Sequence, residues 1–230
     1  MPNRFRRYQL RSLDVDAARV FYRQLFGDTF WGAGTDLDPL PPRAVARGVP
    51  GYWLGHLGVD DVVPPMYRFL EAGASRLDPP PADGRDSGGV VLRDPFGAIV
   101  ALAPPSGAPA AAHVAWHLHS SRDEERAFGV YADILGWTAV ERQDLGERGR
   151  HVTFAWEGSD RPVGSTSDIA RRPHVHPQWL FFFATTDLDA ALARVRDLGG
   201  LTLPPTITAD GHRVAACDDP QGAAFGLYQT

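Results

Sequence analysis

His117 and His119 stand two residues apart in the run Val114-Ala115-Trp116-His117-Leu118-His119-Ser120. On a strand, residues so spaced point to one face, and two imidazoles on one face is a spacing that metal sites use. Metal-assisted chemistry is what such a pair would serve. Alternation argues the other way. If Trp116, Leu118 and Ser120 face a cavity, His117 and His119 face the covering helix or solvent, as ordinary hydrogen-bonded histidines. His56, five residues before Asp61, is expected to face inward. His174 and His176, in Arg171-Arg172-Pro173-His174-Val175-His176-Pro177, approach a later strand and are candidates to line a cavity mouth.

Several chemistries are excluded outright. All 23 basic residues are arginine, so no side chain here can form a Schiff base or act as a phosphate-loop lysine. Cys217 is the only cysteine, which rules out an internal disulfide. Gly164-Ser165-Thr166-Ser167 lacks the glycine that a nucleophile elbow places after its serine. A net charge of -5 with no basic face argues against nucleic acid. No apolar run approaches the roughly 18 to 20 residues of a membrane span, so a cytoplasmic protein is expected.

These residues are positioned by an internal repeat. Ser12-Leu13-Asp14 followed by Phe21-Tyr22-Arg23-Gln24-Leu25-Phe26-Gly27 matches Ser121-Arg122-Asp123 followed by Val130-Tyr131-Ala132-Asp133-Ile134-Leu135-Gly136, at an offset of 109 (131 minus 22). Trp53 and Asp61 match Trp179 and Asp187 at an offset of 126 (179 minus 53). Ala82-Asp83-Gly84 matches Ala209-Asp210-Gly211, and Asp94-Pro95-Phe96-Gly97 matches Asp219-Pro220-Gln221-Gly222. The halves, 1–103 and 113–230, are therefore expected as two similar domains. The second carries 17 more residues (126 minus 109), including the strand-like His151 to Trp156, whereas Gly32 to Pro50, rich in Gly and Pro, is expected to lack that strand.

Four helices follow from apolar spacing and capping residues: Asp14 to Phe26, Val62 to Ala72, Asp123 to Leu135 and Leu188 to Leu198. Each has a strand candidate before it and short strands after it. The expected fold class is α+β, with four strand-helix-strand-strand-strand modules arranged around curved sheets.

Tyr131-Ala132-Asp133-Ile134-Leu135-Gly136-Trp137, Asp187-Leu188-Asp189-Ala190-Ala191 with Gly199-Gly200, and Asp219-Pro220-Gln221-Gly222-Ala223 resemble the signatures of the vicinal oxygen chelate (glyoxalase/bleomycin resistance/extradiol dioxygenase) superfamily, in its two-domain glyoxalase-like branch. The resemblance implies that each module of a metal-using member offers a His or Glu in its first strand, about seven residues before the capping Asp, and a Glu in its last strand, four residues after the Gly of Asp-Pro-x-Gly. Those places hold Arg7, Leu54 and Ala101 in the first half, and Trp116, Leu180 and Gly226 in the second. None offers the usual carboxylate or imidazole, so no metal or other cofactor is expected.

What remains in the fuller second half is apolar and aromatic: Trp116, Leu118, Trp156, Phe182 and Tyr228. Such side chains enclose a flat ligand that a few polar groups orient. The expected function is the binding of an apolar or aromatic small molecule, for sequestration or metal-independent tailoring in secondary metabolism, with Trp116, Leu118, Trp156, Phe182, Tyr228, His174, His176 and His56 as the ligand-binding set. The alternative that the resemblance leaves open is a metal-dependent lyase, isomerase or dioxygenase whose ligands are displaced, with His117 and His119 among them. A homodimer is left open by either reading.

Overall fold

The structure is a computed structural model and describes residues 3–32, 34–78, 89–105, 113–208 and 211–230. The Ala82-Asp83-Gly84 signpost, most of its Ala209 to Gly211 counterpart and residues 106–112 of the junction lie outside the described residues.

Four modules follow one another in an α+β chain. The first is β1 (Arg4–Ser12), α1 (Val15–Phe26), β2 (Thr35–Pro39) and a short α2 (Pro42–Val45). The second is β3 (Tyr52–Gly58), α3 (Val63–Glu71), β4 (Ser75–Arg76), β5 (Val90–Arg93) and β6 (Ile99–Ala103). The third is β7 (Val114–Ser120), α4 (Glu124–Leu135), β8 (Thr138–Asp144), β9 (Arg150–Ala155) and β10 (Gly164–Ser167). The fourth is β11 (Gln178–Thr185), α5 (Leu188–Asp197), β12 (Leu201–Thr202), β13 (Thr206–Ile207), β14 (Arg213–Asp218) and β15 (Ala224–Gln229).

The helices begin where local chemistry starts them. Asp14, Asp123 and Asp187 are extended N-cap residues, and their carboxylates accept the backbone N–H of Ala17, Arg126 and Ala190. Gly136 ends α4 in the left-handed region (φ 72°), which a residue with a Cβ enters only under strain.

Two compact units each take segments from both halves of the sequence. Unit 1 is Met1–Arg6, Gly55–Gly107 and His117–Trp179; unit 2 is Arg7–Leu54, Ala108–Trp116 and Leu180–Thr230. In unit 1, β3 runs parallel to β6, and β6, β5 and β4 are antiparallel neighbours. There β10 lies parallel to β7 and antiparallel to β9, which pairs with β8. In unit 2, β2 is parallel to β1, β15 is parallel to β11, and β14 pairs antiparallel with β15, β12 and β13.

The Gly- and Pro-rich stretch of the first half carries β2, the counterpart of β10 and not of the strand at His151 to Trp156. Thr35 of β2 pairs with Tyr8 as Gly164 of β10 pairs with His117, at the repeat offset of 109 (117 minus 8). The β8–β9 hairpin is the part with no counterpart among the described residues. No helix among those residues is long and apolar enough to cross a membrane.

Candidate functional site

Unit 2 is built on an aromatic wall. Trp116 and Tyr228 stack at 6.5 Å between centroids and 20° between planes, and both are buried. His212, exposed, stacks on Tyr228 at 4.7 Å. Phe182 pairs in register with Gly226, and a Cβ placed on Gly226 would come within 2.1 Å of the Phe182 ring. Phe181 and Phe183 point the other way, Phe181 meeting Tyr8 at 5.0 Å and Phe183 meeting Trp53 at 5.0 Å, so the three-phenylalanine run is buried on both sheet faces.

The same unit holds a row of charged and polar side chains. The Arg7 guanidinium bonds Asp36, the Gln9 amide bonds Asp38, and Arg11 stands 4.0 Å from Asp38. Burial raises the Tyr52 phenol above its ordinary value, against the opposing pull of Arg11 and Arg43.

A three-residue relay occurs in both units, and its members are the repeat's own signposts. In unit 2 the Trp53 indole donates to Tyr22 Oη at 3.0 Å, and that hydroxyl donates to Asp219 Oδ2 at 3.2 Å. In unit 1 Trp179 donates to Tyr131 Oη at 3.0 Å, and Tyr131 donates to Asp94 Oδ2 at 3.0 Å. Each Asp therefore meets the Tyr of the opposite half. The sequence marked these positions as repeated, but gave no sign that they meet.

Unit 1 alone adds a histidine to its relay. His119 Nε2 lies 2.7 Å from Asp94 Oδ2, with both side chains fully buried, and its Nδ1 is buried without a hydrogen-bond partner. Leu10 occupies the corresponding position in unit 2 (119 minus 109). The two carboxyls respond in opposite directions. Burial pushes Asp94 up, but the charge and hydrogen bond of His119, the Phe96 N–H and the Tyr131 hydroxyl outweigh it, and its pKa falls below the ordinary value. Asp219 has the Tyr22 hydroxyl and the Gln221 and Ala223 N–H groups but no histidine, and burial leaves its pKa raised.

His117 and His119 face α4, the side on which Thr166 Oγ1 donates to the Glu124 carbonyl. His117 is buried, stacks on Phe5 at 5.2 Å and hydrogen-bonds the Val163 carbonyl through Nδ1 at 2.7 Å. Burial is the main reason its pKa falls from 6.5 to about 4. A histidine lowered in the folded state disfavours folding once the unfolded chain takes up the proton. Stability is therefore expected to drop by about 3 kcal/mol as pH falls from 6.5 to about 4, at roughly 1.4 kcal/mol per pH unit. Denaturation measured across that window should show the slope in the native protein and its loss in His117→Phe.

The remaining candidates are scattered. Trp156, half-buried, lies in unit 1 among Phe5, His117 and Trp137, and half-buried Leu118 pairs with Ser165. His56, half-buried on β3 of unit 1, pairs with Ala101. His174 (φ 68°) and His176 are exposed in the loop before β11. Only Trp116, Phe182 and Tyr228 share unit 2.

The residues do not fit the metal that the fold's signatures imply. Phe182 fills the space over Gly226, Trp116 and Leu180 stand at the other ligand places, and no group of three His, Cys, Asp or Glu that could hold a metal occurs among the described residues.

Comparison with known proteins places this geometry. A model of the Glyoxalase/Bleomycin resistance protein/Dioxygenase superfamily matches residues 111–227. The chain is 27% identical over 250 residues, 96% of its length, to CFP32 of Mycobacterium tuberculosis, provisionally named a glyoxylase, and covers 92% of that protein. It is 28% identical over 262 residues to the anthracycline biosynthesis protein DauV of Streptomyces sp. strain C5, covering 96% of this chain and 91% of DauV. In fold it is similar to 2,2',3-trihydroxybiphenyl 1,2-dioxygenase of Sphingomonas wittichii, at TM-score 0.63 and 15% identity, covering 100% of this chain and 91% of that one. With its module order, its paired Asp-Pro-x-Gly turns and a family match across half its length, the chain belongs to the glyoxalase/bleomycin resistance protein/dioxygenase superfamily.

Proposed function

We propose that the protein binds a flat, largely apolar aromatic metabolite on the Trp116–Phe182–Tyr228 face of unit 2, for sequestration or for tailoring without a metal. The observation that carries this reading is Phe182 over Gly226, which puts an aromatic ring where metal-using members place a carboxylate. Aromatic faces stack on conjugated ring systems and bury area at little entropic cost. The polar row of Arg7, Gln9, Arg11, Asp36 and Asp38 supplies groups in the same unit to orient the ligand's hydroxyl or carbonyl edge. Access is from the Tyr228 side, where its stacking partner His212 is exposed. Likeness to DauV supports an aromatic polyketide as the compound class to try first.

The test is a fluorescence titration with an anthracycline aglycone. One-to-one tryptophan quenching is expected, with Trp116→Ala weakening binding at least about tenfold, the equivalent of ~1.4 kcal/mol. Quenching unchanged in Trp116→Ala would place the ligand elsewhere. A stoichiometric divalent metal in the purified protein, lost on mutating His117, would transfer the chain to the metal-dependent reading.

A further inference from the structure

Ser165 and Ser167 of β10 stand directly across from Thr153 and His151 of β9. Thr166, between the two serines, donates to the Glu124 carbonyl of α4, so the serines and their partners share the face turned away from that helix. That face is polar and yet covered: Thr153, Ser165 and Ser167 are each no more than 3% exposed, and His151 is buried with them. At its borders Leu118, beside Ser165, and Gln143, beside His151, are half-buried, and Glu141, beside Thr153, is exposed. All of these residues belong to unit 1.

The protons are placed by what each atom can do. A carbonyl only accepts, so the His151 Nε2 that lies 3.1 Å from the Arg148 carbonyl carries the hydrogen, shared with Ser167 Oγ at 3.1 Å. Burial lowers the His151 pKa from its ordinary value, against the hydrogen bond of the Arg148 carbonyl. At neutral pH the bare Nδ1 therefore accepts the Ser165 hydroxyl at 3.0 Å. Ser167 Oγ also accepts the Ile169 N–H at 3.3 Å. Ser165 Oγ is left with lone pairs that can accept one further proton. Thr153 Oγ1, on the strand position opposite it, is buried and has no hydrogen-bond partner. A buried hydroxyl in that state is costly to the fold, and it stands beside an acceptor that the fold leaves unfilled.

We propose that Thr153 and Ser165 form a binding site in unit 1 for a hydroxyl group of a neutral small molecule, an alcohol or a sugar. Thr153 Oγ1 donates to the ligand oxygen, and the ligand hydroxyl donates its own proton to Ser165 Oγ. The donors and acceptors of the cluster are all uncharged at neutral pH, so they match a neutral group rather than an anion. The site is independent of the aromatic face of unit 2, so either assignment can fail without the other.

Saturation-transfer NMR and calorimetric titration of the full chain, with cyclohexanol and methyl glucoside as separate probes, test it. At least one probe should bind once per chain and weaken at least about fivefold in Thr153→Val and in Ser165→Ala. Cyclohexanol alone would identify an alcohol site, and the glucoside alone a sugar site. Thr153→Val keeps the shape of the side chain and removes the unpaired hydroxyl, so without a probe it should melt no lower than the native protein. The bound probe should raise the melting temperature of the native protein but not of Thr153→Val. Arg23→Gln, which breaks only the exposed pair with Asp28, should bind as the native protein does. Failure of both probes to bind at millimolar concentration, binding by Thr153→Val equal to the native, or a clearly lower melting temperature for that variant without a probe would overturn the assignment.

Discussion

Gly226→Glu is expected to destabilise the protein by more than about 4 kcal/mol, or to prevent folding altogether. A Cβ at that position would lie 2.1 Å from Phe182 Cδ1 and 2.4 Å from Cγ, atoms near the root of the ring that cannot swing aside as a flexible chain end could. Phe182 is itself 4% exposed and has little room to retreat. The added carboxylate would also be buried without a partner. Phe182→Ala by itself should cost about 3–5 kcal/mol, through the cavity it leaves. Combined, the two changes should cost less than their sum, because the shortened side chain removes the obstruction; a favourable coupling of roughly 1–3 kcal/mol is expected from a double-mutant cycle in urea. Additive losses, or a Gly226→Glu protein within about 1 kcal/mol of the parent, would show that the ring does not guard this position. Nor should the double variant acquire a metal, since Trp116 and Leu180 supply no imidazole or carboxylate to accompany the new one.

His119→Leu places in unit 1 the residue that unit 2 carries as Leu10, so the protein contains its own control for the experiment. Removing one partner of a buried pair strands the other, and a loss of about 3–5 kcal/mol is expected at neutral pH. The pH dependence distinguishes this cause from a packing defect. In the native protein Asp94 is lowered, so its stabilisation is present above the ordinary carboxylate value of about 3.9 and fades as pH falls through the folded value. Without His119, Asp94 should behave as Asp219 does, raised by burial, with its contribution present in acid and lost as pH rises through the carboxylate range. The gap between variant and parent should therefore be wide at pH 7 and narrow toward pH 3. A gap that stays constant with pH would assign the loss to a cavity instead.

Much of the fold was legible in the residues because its signals are local. An Asp whose side chain caps the N–H three residues on, an apolar stripe at helical spacing and a Gly after the last turn act within a few residues of one another, and the observed helices start within a residue or two of the expected places. Alternation along β7 likewise separates Trp116 from His117 and His119. The strand β2 escaped notice because Gly and Pro surround it and it has only five residues.

The candidate site was legible only in part. Its aromatic residues could be listed from the sequence, but the division that leaves Trp116, Phe182 and Tyr228 in one unit and Trp156 in the other could not. Local residue patterns determined the four modules, their caps and the side chains withheld from the family's ligand positions. Packing alone decided that Tyr22 would meet Asp219, 197 residues away, that Phe182 would cover Gly226, and that Asp94 would receive a histidine where Asp219 has none. Caps and periodicity are short-range forces, whereas a bond between distant segments depends on how whole faces bury one another, and no local pattern carries that information.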